Sequence, residues 1–249
     1  MSGTVGKALR LLELLSTYDT PVRLSELSRD AGMNKSTAYR MLESLRNLGY
    51  VQQDEPNGRY MITTKMWQIG VRAFQRLDVR NIARPYLDTL ARETDEPAVL
   101  AIMEGKDVVI VDRAASSQAI QTVSPIGSRS PIHCSSLGKA FLMVDTEEKL
   151  QNLKRPLQQF TPKTITRLAD LRKNVEEAVA TGIATAFDEY DEGVSGVSAP
   201  IIGSDGKVHC IIGITLPTTR VGGESFEACK KIVREQADLF SAQLGYTRR

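Results

Sequence analysis

The stretch "LSELSRDAGMNKSTAYRMLESLRNLGYV", residues 24–51, most constrains what this chain can fold into. Leu24, Leu27 and Ala31 recur at i, i+3 and i+7, the spacing of one helix face. Gly32 follows as a helix C-cap, because glycine takes positive φ without a steric penalty. Asn34 can cap the next helix by accepting from its first backbone N–H groups. Ala38, Met41, Leu42, Leu45 and Leu48 then form an apolar stripe, and Gly49 ends it. Two helices across a tight turn make a helix-turn-helix unit. Upstream, Ala8, Leu11, Leu12 and Leu15 predict an amphipathic helix over Val5–Tyr18, broken at Asp19-Thr20-Pro21. Downstream, residues 50–53 and 59–62 read as strands joined by a turn containing Pro56 and Asn57-Gly58. The sum is a winged helix.

The face of the third helix off that stripe holds Lys35, Ser36, Thr37, Tyr39, Arg40, Ser44 and Arg46. Hydroxyls and lysine suit phosphates, and arginine can reach guanine edges. Such a helix places its N-terminal residues in the major groove. Arg59 sits on the wing, where a cation meets backbone or minor groove. Residues 1–80 carry 12 Lys+Arg against 8 Asp+Glu, and the remainder 20 against 22. A basic front and a slightly acidic back place a polyanion at the front. The expected DNA contacts are Lys35, Ser36, Thr37, Tyr39, Arg40, Ser44 and Arg59. The competing reading is a solvated helix or a protein-contact face.

With 249 residues, the chain has room for a second domain at roughly 100–200 residues each. Met66, Ile69, Val71, Ala73 and Leu77 predict a linker helix, with Arg72, Arg76 and Arg80 beside it. A dimer seam is expected there or in the first helix. Beyond it come a helix over 81–93, strands in "AVLAIMEGKDVVIVDRA", and a third strand in "AIQTV", residues 119–123. Helices are expected over 137–144 and from Thr146. Another spans 167–181, with Leu168, Leu171, Val175, Ala178 and Val179 inward. Strands follow at 183–187, 197–202 and 208–216, the last two joined by Gly203-Ser204-Asp205-Gly206, then a helix over 224–244. Helices and strands mix without strict alternation, so the fold class is α+β with a mainly antiparallel sheet. The expected division is a DNA-binding domain over 1–63, a linker helix over 64–80 and a ligand-binding domain over 81–249.

Two sets of motifs resemble one family. "GKALRLLELL", the helix-turn-helix stretch and "GRYMITTKMWQIG" look like the DNA-binding half of IclR-type transcriptional regulators. "PIGSRSPIHCSSLGKAFL", "GIATAFDEYDEGVSGVSAPIIGSDGKV" and "IIGITLPTTR" follow in the order and spacing of the IclR effector domain. The resemblance implies a GAF-like effector domain that binds a small metabolite, and a homodimer or homotetramer on operator DNA. No enzyme, no cofactor and no membrane partner are expected, and a small-molecule enzyme fused to a DNA-binding domain is a rival reading. Repression is the expected sign, although the residues themselves do not set it. An organic or aromatic acid is the expected effector class.

"SPIHCSSLGKAFL", residues 130–142, offers rival chemistries. A Walker loop fails, because Ala140 follows Gly138-Lys139 and His133 stands where the first glycine is needed. Cysteine catalysis needs a base within hydrogen-bond reach. Adjacent His133 and Cys134 would point apart in an extended stretch. No nucleophile elbow is present. The pairs His133-Cys134 and His209-Cys210, with Asp188 or Glu189, could form a mixed metal site. A metal- or redox-responsive regulator is therefore the alternative reading. The remaining reading is a ligand loop. Ser135, Ser136 and the amides opening the next helix can hold a carboxylate. Gly138 allows close approach, and Lys139 is expected to reach outward. Asp188 or Glu189 could accept from a ligand hydroxyl or amine.

By resemblance the effector residues are Ser135, Ser136, Leu137, Asp188, Gly196, Ser198 and Thr215. Some family members carry cysteine where Gly196 stands, a departure expected to open space. Three cysteines, Cys134, Cys210 and Cys229, form no paired framework and fit a reducing cytoplasm. No apolar run reaches the ~18 residues of a membrane span, and no signal-peptide pattern opens the chain. A cytoplasmic location follows as an expectation.

Overall fold

The computed structural model describes residues 3–54, 58–74 and 78–247, without the side chains of residues 70–78. The chain divides into two compact units, residues 1–77 and 78–249.

The first unit contains α1 (Thr4–Leu15), β1 (Val22–Arg23), α2 (Leu24–Asp30), α3 (Lys35–Asn47), β2 (Val51–Asp54), β3 (Arg59–Ile62) and α4 (Lys65–Phe74). Its core joins Leu11, Leu12 and Leu15 of α1 to Leu27, Ala38, Leu42, Leu45, Val51 and Tyr60. The turn between α2 and α3 is built as the sequence requires. Gly32 sits at φ +64°. The Gly32 and Met33 amides donate back to the carbonyls of Arg29 and Ser28. The Asn34 side chain accepts from the Thr37 amide at 2.8 Å. At the other end of α3, Gly49 at φ +77° turns the chain into the wing.

Three details differ from expectation. Leu48 is 58% exposed rather than part of the stripe. It is the C-cap residue, and its carbonyl accepts from Lys65 Nζ. The wing has a third strand, because Val22 and Arg23 pair with Tyr60 and Arg59. Two residues are too short for a periodic signal. The stretch expected as one linker helix contains α4 and the start of the next helix, and its residues 75–77, Arg76 and Leu77 among them, lie outside the described ones, as do wing residues 55–57.

The second unit contains α5 (Asp78–Thr94), β4 (Ala98–Glu104), β5 (Asp107–Ala114), β6 (Arg129–Pro131), α6 (Ser136–Leu142), α7 (Thr146–Gln151), α8 (Leu168–Thr181), β7 (Ala184–Phe187), β8 (Val194–Ile202), β9 (Val208–Pro217) and α9 (Gly223–Gln243). Six strands form one sheet in the order β6-β5-β4-β9-β8-β7, with every described pair antiparallel. Val99, Ala101, Val108, Ile110 and Ile211 share one core with Leu137, Leu142, Leu171 and Val175 of α6 and α8. Strand alternation turns Ala98, Leu100, Ile212 and Ile214, also buried, to the opposite face. There α5 and α9 pack on the sheet and on each other, with Tyr86 stacked on Phe240 at 4.6 Å.

Residues 119–123 are not a strand. Side chains hold them instead of a ladder: Arg220 donates to the Ile120 carbonyl at 2.6 Å, and Thr122 bonds Thr215 at 2.7 Å. The third strand of that region is β6. Val179, expected inward, is 45% exposed, because Val175 and Ala178 already fill the buried face of α8. Strand β8 starts at Val194, so Gly196 and Ser198 lie within it. Residues 132–134 form a turn, not an extended stretch.

Gly138 permits that turn. A Cβ there would collide with the backbone of Ile132. Gly138→Ala should cost about 1–3 kcal/mol by overpacking, read as a fall in melting temperature; an unchanged melt would show that the Ile132 backbone yields freely. Removing the α3 cap by Asn34→Ala should cost about 1 kcal/mol, measured by denaturant unfolding of the first unit, and no loss would deny the cap a stabilising role.

Candidate functional site

A cavity of about 300 Å³ opens in the second unit between the start of α6, the β8–β9 sheet face and the segment before β6. That volume is at the small end of ligand pockets. Its floor includes Gly196 and Thr215, which are register partners on β8 and β9. Cys134, Ser135, Ser136 and Leu137 form one wall. Val123, Ser124 and Ser128–Ser130 form another, and Glu189, Tyr190 and Asp191 a third. The second wall is tethered to the floor, because Thr122 and Ser124 both bond the Thr215 hydroxyl.

Ser135 is the N-cap of α6. It accepts from the Gly138 amide at 3.0 Å and donates to the Pro131 carbonyl at 2.8 Å. Ser136 bonds Ser198 at 2.8 Å. Both serines thus line the cavity with their hydroxyls already engaged. The space left by Gly196 is taken by Ser136, whose hydroxyl a Cβ at 196 would strike. Glycine here admits a neighbouring serine rather than extra ligand volume.

Of the seven expected effector residues, Ser135, Ser136, Leu137, Gly196 and Thr215 line the cavity; Ser198 and Asp188 do not. Ser198 is fully buried beneath Ser136. Asp188 is spent on its own loop. It accepts from Lys163 at 2.7 Å, Thr218 at 2.5 Å and the Gly193 amide at 2.8 Å. These donors, Lys163 first, hold its carboxyl below the usual range. They also hold it at φ +55°.

Glu189 takes the cavity position instead. One carboxylate oxygen accepts from Lys139 Nζ at 2.5 Å. Lys139, expected to reach solvent, is fully buried. Burial lowers its pKa, and Glu189 opposes that shift. A buried ammonium needs such a partner, since an isolated charge in the interior is costly. The helical position of Lys139 held no signal of this, because its partner is 50 residues away.

The histidine-cysteine pairs do not converge. His133 bonds the Gln158 carbonyl at 2.9 Å, and exposed His209 bonds Asp205 at 3.0 Å. Among the described residues, no group of three His, Cys, Asp or Glu is arranged to hold a metal. Cys134 and Cys210 are buried, and burial pushes both thiols up to about 12. Such thiols are poor nucleophiles and poor redox sensors.

On the first unit, Lys35, Ser36, Tyr39, Arg40 and Ser44 are exposed along α3, and Thr37 is half-buried. Ser44 bonds back to the Arg40 carbonyl, and Ser36 to Asn34. Arg46 is held by Glu43 and Gln53. Arg59 lies on β3, half-buried, with Nε lacking a hydrogen-bond partner. The expected polar face therefore exists as one surface of one helix, with the wing strand following it.

Comparison with known proteins agrees with both halves. Residues 4–55 match the IclR helix-turn-helix domain, and residues 71–242 match the bacterial transcriptional regulator IclR C-terminal domain. The DNA-binding transcriptional repressor YiaJ of Escherichia coli is 29% identical, over 99% of this chain and 89% of its own length. The crystal structure of Thermotoga maritima IclR superposes with a TM-score of 0.83 at 26% identity, covering 98% of this chain and 99% of that one. An IclR homolog from Microbacterium hydrocarbonoxydans, solved complexed with 4-hydroxybenzoate, has the same fold, with a TM-score of 0.81 at 23% identity over 98% of this chain and 100% of that one. With its helix-turn-helix and its effector domain both matched in order, the chain belongs to the IclR family of bacterial transcriptional regulators.

Proposed function

We propose that this regulator is a repressor that holds operator DNA through Lys35, Ser36, Thr37, Tyr39, Arg40, Ser44 and Arg59, and releases it when a small organic acid fills the cavity of the second unit. The observation behind the effector is the cavity itself, with polar side chains on three walls and the protein's own strands as its floor. Arg129 is the one cation among its described lining residues; it pairs with Glu104 and Asp107, so a ligand carboxylate would compete with those two acids for it. The repressor sign is supported by the similarity to YiaJ. The acid class is supported by the homolog that binds 4-hydroxybenzoate.

The working form is a homo-oligomer. Val5 and Leu9 of α1 are 74% and 52% exposed, and Trp67 of α4 is 69% exposed. A second copy would cover such apolar surface. Two winged helices on a pseudo-palindrome also read more bases than one. The effector can change operator affinity only by binding one arrangement of the paired readers better than the other.

Arg40→Ala should weaken operator binding by about 1–3 kcal/mol and relax its specificity; equal loss on random DNA would remove Arg40 from base reading. Lys35→Ala should weaken binding on every sequence and reduce the salt slope by about one ion, whereas an unchanged slope rejects a phosphate contact. A thermal-shift screen of organic, sugar and aromatic acids should yield a stabilising ligand that also lowers operator affinity. A stabilising ligand that leaves operator binding unchanged would count against the effector role.

A further inference from the structure

The second unit holds another, larger cavity of about 650 Å³. It lies between the β4–β5 turn, the C-terminal end of α6 and the segment that follows α7. That volume falls within the range of small-molecule sites. One short segment walls both cavities. Ser130 and Cys134–Leu137 line the first, and Pro131, Ile132 and His133 line the second.

The floor of the second cavity is apolar. Met103, Phe141 and Leu153 line it, are only partly buried, and pack against the core that holds Ile132, Leu142 and Leu157. Apolar surface in such a cleft gains from an occupant that displaces its water.

The rim is cationic. Lys106 and Lys154 are exposed, and among the described residues neither has an ion pair or a side-chain hydrogen bond. Lysines of this kind lay their stems on apolar surface and keep the ammonium in water. Lys149 is half-buried, with Nζ 3.9 Å from the centre of the Phe141 ring and donating to the Phe141 carbonyl at 2.8 Å. An ammonium has three donors, so this one can still serve a ligand. Burial lowers the Lys149 pKa, and among the described residues no acid is ion-paired with it. Asp107 is the one acid among the described lining residues, and it pairs with Arg129 at 3.6 Å. Solvated lysines on an ordinary surface need no cavity; these border a cleft floored by core side chains.

We propose that this cavity is a second ligand site, which takes a carboxylate carried on a long apolar body, such as a medium-chain fatty acid. The hydrocarbon lies on Met103, Phe141 and Leu153, and the carboxylate stays at the lysine rim. This ligand and the small polar effector enter different cavities.

The test is calorimetric titration of the full-length protein with hexanoate, octanoate and decanoate, below the concentrations at which they form micelles. Affinity should rise with each added CH₂, and decanoate should bind at least ~10-fold tighter than hexanoate. Decylammonium, with the same chain length and the opposite charge, should bind at least ~10-fold more weakly than decanoate. Lys106→Met with Lys154→Met should weaken decanoate about fivefold. Val123→Trp, which crowds the first cavity, should leave decanoate binding unchanged. Lys106, Lys154 and Val123 are all exposed, so these variants spare the core. No binding of decanoate at millimolar concentration would overturn the proposal, as would equal binding of decylammonium, and the wild-type protein decides both by itself. Binding lost in Val123→Trp but kept in the lysine double variant would seat the acid in the first cavity and overturn it too.

Discussion

The second unit depends on one buried ion pair. Lys139 on the inner face of α6 meets Glu189 on the loop between β7 and β8. Neither charge would survive there alone, because breaking such a pair leaves an uncompensated buried ion at a cost of about 3–5 kcal/mol. The pair therefore fixes where the first turn of α6 sits against the sheet. Because that turn is also a cavity wall, the same bond shapes the cavity.

Other constraints converge on the two partners. Gly138, next to Lys139, lets the turn at Ile132 lie against the helix. Thr161 and Thr164, both buried, bond the carbonyls of Asp188 and Glu189 at 2.6 Å each. Asp188 spends its carboxylate within the loop. The result is an acidic wall of the cavity held in place by the protein's own hydrogen bonds and ion pair. The segment from Thr122 to Ser128 is more lightly held, by hydroxyl and backbone bonds to Thr215 and Ile110, and it carries the exposed apolar residues Val123 and Ile126.

The first unit was legible almost residue by residue. Its signals are local: a glycine needing positive φ, an asparagine cap three residues from its donor, an apolar period within one helix. Leu48 was misplaced because periodicity continues through a C-cap while the backbone does not. In the second unit the longer sheet strands were legible from apolar runs, but the short β6, with no apolar run, was missed, and "AIQTV" was read as a strand that it is not. Its β-prone residues are held by Arg220 and Thr215, about a hundred residues away, and that pull outweighs local propensity.

The site divides along the same line. The sequence by itself determined the winged helix, the α+β class, the antiparallel sheet and the serine-to-helix loop, since caps, periods and turn residues act over a few positions. It also determined the polar face of α3, which is a matter of helical phase. Only the tertiary structure decided that Lys139 turns inward, that Gly196 yields its space to Ser136, and that Glu189 rather than Asp188 faces the cavity. Those outcomes rest on side-chain partners 25 to 62 residues away and on desolvation, which pairs buried charges whatever their neighbours in sequence.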